Sequence, residues 1–143
     1  MIYPKFLVGV QFGVAAILVC FSKGFFSSIF YILIFLLGAS VGLWAISHNK
    51  RDNFNVVPEL KEGAKLITTG AYRYIRHPMY FSVIVMALPF VLSTNSLIFW
   101  LLFLILILTL YLKATREESQ WSKCSSSYCD YKRKTKAIIP FIL

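Results

Sequence analysis

Four apolar stretches limit what this chain can fold into: Phe6–Phe21, Phe25–Ile46, Pro78–Leu92 and Leu97–Leu112. Each is bounded by polar residues. The first is interrupted only by Gln11 and glycines, and no small-residue cleavage site follows it, so it reads as a retained span rather than a signal peptide. The second is long enough, at about 1.5 Å per helical residue, to cross a hydrocarbon core of about 30 Å. The third reaches only about 22 Å as a helix, so it either begins upstream, near Thr69, or sits low in the bilayer. Pro89 should loosen or kink its far end. The intervening Ser93-Thr94-Asn95-Ser96 is a turn signal, which predicts a tight antiparallel hairpin from the last two stretches. The expectation is one domain over residues 1–143: an all-α, polytopic membrane helix bundle with about four transmembrane helices and a cytoplasmic C-terminal helical segment.

Charge gives this bundle a direction. The net charge of +9 could suit nucleic acid or an anionic membrane face, and a mean hydropathy of +0.69 decides for the membrane. Every lysine and arginine except Lys23 falls before the first span, in the 48–77 loop or after Leu112. With four crossings these segments share one side, which the positive-inside rule makes cytoplasmic, together with both termini. The basic tail Tyr131-Lys132-Arg133-Lys134-Thr135-Lys136 then faces anionic lipid headgroups rather than nucleic acid. No G-x-G-x-x-G or other Gly-rich phosphate loop is present. His48 and His77 have no third partner for a catalytic metal, and Cys20, Cys124 and Cys129 lack metal spacing and suggest reduced thiols. A transporter would need ionisable residues within the spans, and these are almost lacking.

Polar chemistry is concentrated at two places. Thr69-Gly-Ala-Tyr-Arg-Tyr-Ile-Arg-His-Pro-Met-Tyr80 leads into the third stretch, with Pro78 suited to a first helical turn and His77 at its edge. Taken alone, such a cluster of tyrosines and arginines is an interfacial anchor. At the other place, Lys113-Ala-Thr-Arg116-Glu117-Glu118 carries the last span into water, with Lys113 and Glu117 on one helical face. Carboxylates near a helix C-terminus oppose the macrodipole unless the helix continues past Trp121. The predicted hairpin would bring His77 and Lys113 together, which builds a site at the membrane surface from pieces distant in sequence.

The ordered set resembles the isoprenylcysteine carboxyl methyltransferase and phospholipid methyltransferase superfamily. The family pattern corresponds to Leu66-Ile67-Thr68-Thr69-Gly70-Ala71-Tyr72-Arg73-Tyr74-Ile75-Arg76-His77-Pro78-Met79-Tyr80, then Glu117-Glu118, the tyrosines Tyr128 and Tyr131, and Pro140. The likeness covers about residues 53 to 143, and the first two stretches match only as hydrophobic segments. The resemblance implies an S-adenosyl-L-methionine pocket within about residues 60–143. Lys65, Leu66, Ile67, Tyr72, His77, Pro78, Met79, Tyr80, Glu117 and Glu118 would line it. The family arginine that contacts the acceptor corresponds to Lys113, a point charge instead of a planar fork. Other departures are Ser82 for a glycine, Cys124-Ser125-Ser126-Ser127 for a phenylalanine-glycine, and Ala137 for an arginine.

The implied activity is methyl transfer to a lipophilic acceptor, either an isoprenylcysteine-type carboxylate or a related lipid. A carboxylate is ionised at pH 7 and needs no base, with Lys113 and Arg116 orienting it; an amine or thiol would need His77 as base. The alternative is a non-catalytic membrane scaffold on the same fold.

Overall fold

The computed structural model describes residues 3–49, 57–59, 63, 65–124 and 126–139. Among them are five helices and no strands: α1 (Pro4–Phe21), α2 (Ile29–His48), α3 (Pro78–Thr94), α4 (Leu97–Cys124) and α5 (Ser126–Lys134). The boundaries follow local chemistry. Gly24, at a left-handed φ of 84°, precedes the second apolar stretch, whose first residues, Phe25–Ser27, make a 3-10 turn. The helix predicted from Phe25 therefore starts at Ile29, capped by the Ser28 hydroxyl accepting from the Phe30 N–H.

α3 begins at Pro78, not upstream near Thr69. Residues 65–69 lie outside any helix, Gly70–Arg73 forms a 3-10 turn, and the residue before a proline is pushed out of the helical region, which His77 obeys at φ −124°, ψ 61°. The helix continues through Pro89 to Thr94 and ends where Asn95 turns left-handed at φ 45°. At 17 residues it is shorter than α1, α2 and α4, the three helices among the described residues long and apolar enough to cross a membrane. Only Asn95 and Ser96 separate it from α4, as the turn signal predicts. α4 runs past Trp121 to Cys124, so its glutamates stand inside the helix and clear of its terminal carbonyls.

The helices alternate in direction. At one end the Lys23 N–H donates to Thr94 Oγ1 (2.9 Å); at the other the His48 ring closes on Gly70, and His77 meets Glu117 and Glu118. The most extensive helix contact in the bundle is between α2 and α3, not within the α3–α4 hairpin. Gly38 and Gly42 make it possible. A Cβ at Gly38 would lie 2.8 Å from the Met86 backbone nitrogen, and one at Gly42 would lie 2.5 Å from Ser82 Oγ. Ser82 Oγ donates to the Gly38 carbonyl at 2.8 Å, so Ser82 is bonded into this contact.

α1 faces α4 through a stripe of Leu7, Gln11, Val14 and Leu18. Leu18, Val91, Leu106 and Leu110 are wholly enclosed, and at the far end Phe25 stacks on Phe90 with ring centres 4.5 Å apart. Phe12, Leu33, Leu37, Leu43, Leu101 and Leu108 stay exposed on the outer faces, an apolar surface suited to lipid. The chain after α5 folds back: the Arg76 N–H donates to Lys136 O (2.8 Å) and the His77 N–H to Ala137 O (2.9 Å), beside a parallel bridge of Ile75 with Lys136. Pro140 and Ser125, both part of the family pattern or its departures, lie outside the described residues.

Candidate functional site

The site forms where the first turn of α3 meets the polar extension of α4. Pro78 supplies no N–H where none is needed, and the His77 carbonyl accepts from the N–H groups of Tyr80 (3.0 Å) and Phe81 (3.1 Å). This fixes His77 at the helix entrance, buried, with its ring stacked on Tyr80 (centres 5.4 Å apart, planes at 11°). Neighbouring residues on a helix diverge by about 100°, so Glu117 and Glu118 can share one partner only if it sits between them. His77 does: Nδ1 is 3.5 Å from Glu117 Oε2, and Nε2 is 3.3 Å from Glu118 Oε1. These are ion-pair distances, and Nε2 has no aligned hydrogen bond. Burial works to lower the His77 pKa, but the two carboxylates outweigh it and raise it above 6.5, favouring imidazolium.

The adjacent glutamates are placed differently. Glu118 is enclosed, with a side chain 8 % exposed, and takes Arg76 Nε at 2.7 Å and Lys132 Nζ at 2.8 Å in addition to His77. Burial pushes its carboxyl up, yet the imidazole of His77 beside it and the cationic donors Arg76 and Lys132 hold it well below the usual carboxylate range. Arg76 continues into the tail, donating through Nη1 to the carbonyls of Lys132 (3.2 Å) and Thr135 at the end of α5. The Tyr131 hydroxyl donates to the Tyr72 carbonyl at 2.5 Å. Glu118 is thus the junction of α3, α4 and α5.

Glu117 is the more open of the pair, at 21 % exposure. Its Oε1 accepts from the Tyr80 hydroxyl. Burial first, and the Glu117 charge second, push the Tyr72 hydroxyl up to about 12, so it stays a neutral donor beside that carboxylate. A partly open acid near Tyr72, His77 and Tyr80 can grip a cation by charge, hydrogen bond and ring face.

Lys113 is not at the surface. It is 1 % exposed, its Nζ donates to Gln11 Oε1 at 2.6 Å, and it lies 5.2 Å from the centre of the Tyr80 ring. The stripe of α1 that faces α4 carries a single polar side chain, and lysine is long enough to reach it. Arg116 is half-buried, with Nη2 3.7 Å from Glu59 Oε1, and Gln120 Nε2 donates to Pro58 O at 3.0 Å, laying residues 57–59 along α4. Lys65 is exposed, Leu66, Ile67 and Met79 are half-buried, and Pro78 is buried. The structure therefore brings together Tyr72, His77, Tyr80, Glu117 and Glu118, with Lys113 approaching from inside the bundle. The sequence reading gave Arg76 and Gln11 no task in the site and assigned Lys132 to lipid headgroups, whereas it pairs with Glu118. Only Gln11 carried a signal of its own, as the polar break in an apolar run.

The sequence model of the isoprenylcysteine carboxyl methyltransferase (ICMT) family matches residues 29–122. The chain belongs to that family. It is an integral membrane protein built on the architecture of a family of membrane methyltransferases. No curated protein and no solved structure matches it. The family match begins with the first residue of α2, so it takes in the glycine pair Gly38 and Gly42, the 65–80 segment and Glu117-Glu118. The likeness read from sequence began at about residue 53 and ran to 143; the family match starts earlier and stops before Tyr128 and Tyr131. It also leaves out α1, and with it Gln11. Among the described residues no group of three His, Cys, Asp or Glu side chains is arranged to hold a metal.

Proposed function

We infer that the chain is an S-adenosyl-L-methionine-dependent methyltransferase that methylates an isoprenylcysteine-type carboxylate at the membrane surface. The observation that carries this reading is the partly open Glu117 carboxylate, bonded by Tyr80 and flanked by His77 and Tyr72. This donor set fits the cofactor. An acid suits its ammonium or ribose hydroxyls, and tyrosine faces suit a sulfonium. When bound, S-adenosyl-L-methionine supplies an electrophilic methyl group.

The protein's own contribution is orientation, which can be worth about 7–11 kcal/mol when both reactants are held in attacking geometry. Tyr80 and His77 fix the direction of Glu117, and Glu118 with Arg76 and Lys132 fixes His77. An imidazole held between two carboxylates retains its proton and is a poor base. That favours an acceptor already ionised at pH 7, a carboxylate, over an amine or thiol. We place Lys113, whose Nζ lies 5.2 Å from the Tyr80 ring centre, beside the acceptor, while Arg116 pairs with Glu59. We assign the cytoplasmic side to this end of the bundle, with the exposed Lys134 and Lys136 near anionic headgroups.

The test uses purified protein in detergent or vesicles with methyl-labelled S-adenosyl-L-methionine and N-acetyl-S-farnesylcysteine. The expected result is a cofactor-dependent rise in Tm and base-labile label in the prenylcysteine. No cofactor-dependent shift would overturn the enzyme reading in favour of a scaffold. A shift with label entering only lipid amines would overturn the carboxylate assignment.

A further inference from the structure

α1 lies outside the family match, yet its buried Gln11 bonds Lys113 beside the site. Gln11 is buried at 8 % exposure within an apolar span, where an unbonded amide is costly. Its Oε1 accepts from Lys113 Nζ at 2.6 Å, across 102 residues of chain. The ammonium so placed lies 5.2 Å from the Tyr80 ring centre, and Tyr80 in turn bonds Glu117. A lysine has a flexible four-carbon stem and no planar fork, so its charge needs an external fixing point to be directional. Glutamine supplies that point without adding charge. A carboxylate there would fix the stem equally well but would pair with the ammonium.

We propose that Gln11 is a positioning residue for the methyl acceptor: through Lys113 it holds a positive charge in place for the acceptor's carboxylate. This rests on the carboxylate-acceptor reading above. It gives α1 a task beyond spanning the bilayer, because the helix carries the group that makes the charge of a flexible lysine directional.

The experiment measures two quantities on the same purified proteins: cofactor Kd from thermal shift, and acceptor KM and kcat with N-acetyl-S-farnesylcysteine. For Gln11→Leu the expected result is an acceptor KM raised about tenfold, with kcat and cofactor Kd changed less than threefold. Gln11→Glu should raise KM further, since its charge competes with the acceptor for the ammonium. A merely structural role would move kcat and cofactor affinity together with KM. Unchanged KM in Gln11→Leu, or a Gln11→Glu variant with KM as low as wild type, overturns the role of Gln11 while leaving the enzyme reading intact. Wild-type protein that binds cofactor but does not turn over the prenylcysteine overturns the acceptor class and this role with it. Should both variants fail to fold, a double-mutant cycle of Gln11→Met with Lys113→Met decides the contact: additive Tm losses overturn it.

Discussion

The Tyr80 hydroxyl donates a hydrogen bond to Glu117 Oε1, joining the first turn of α3 to the extension of α4. Tyr80 also stacks on His77, so one side chain aligns both the acid and the imidazole. Removing only the hydroxyl should therefore leave the fold intact and loosen the acid. Tyr80→Phe is expected to weaken S-adenosyl-L-methionine binding about tenfold, the loss of one hydrogen bond to a charged group. Glu117→Gln, which removes the charge itself, should weaken it more. Titration by thermal shift measures both, and equal affinity in Glu117→Gln and wild type would remove Glu117 from the cofactor site.

Glu118 should behave differently from its neighbour. Its carboxylate is enclosed and meets Arg76, His77 and Lys132, so its loss leaves buried positive charge uncompensated. Breaking such a group typically costs about 3–5 kcal/mol. Glu118→Ala is expected to lower Tm in the absence of cofactor by several degrees, whereas Glu117→Ala lowers it little. Reversed order in a detergent melt would refute the division of labour between the two acids.

The same cluster sets a pH profile. The raised His77 pKa gives a stability contribution complete below 6.5 and lost as pH climbs through the folded-state value. The depressed Glu118 pKa gives one complete above 4.5 and lost as pH falls through its folded-state value. Both are in force between 4.5 and 6.5, so apo-protein Tm should be highest there and decline toward alkaline pH. His77→Gln should flatten the alkaline limb and keep the acid one. An alkaline decline that is unchanged in His77→Gln would assign it to another group.

Much of this was legible in the sequence because hydropathy and punctuation act locally. Apolar length marked α1, α2 and α4, and the Asn95-Ser96 turn set the α3–α4 connection, while the start of α3, left open between Thr69 and Pro78, falls at Pro78. The hairpin predicted that His77 would lie near Lys113; the structure puts its ring against Glu117 and Glu118 and turns Lys113 toward Tyr80 and Gln11. Long-range choices of side chain were not legible. Nothing local to Lys113 says that it turns inward to Gln11, since that depends on which face of α1 meets α4. Nor does Arg76 announce that it will divide its donors between Glu118 and the end of α5. The role of Gly38 and Gly42 was not read from the sequence either, because their spacing does not say which helix they meet.

That glycine pair gives the sharpest structural test. At Gly42 the obstacle to a Cβ is Ser82 Oγ, 2.5 Å away, a side-chain atom that substitution can remove. At Gly38 one obstacle is the Met86 backbone nitrogen at 2.8 Å, which no substitution removes. An exposed helical glycine changed to alanine would gain up to about 1 kcal/mol from propensity, but overpacking costs about 1–3 kcal/mol and should dominate here. Both Gly38→Ala and Gly42→Ala are therefore expected to lower Tm. Ser82→Gly should largely rescue Gly42→Ala and leave Gly38→Ala unrescued, because it clears the first clash and not the second. The double variants are compared with Ser82→Gly alone, which loses the hydrogen bond to the Gly38 carbonyl. If Ser82→Gly rescues both alanines equally, or neither, α2 and α3 do not meet in the register described.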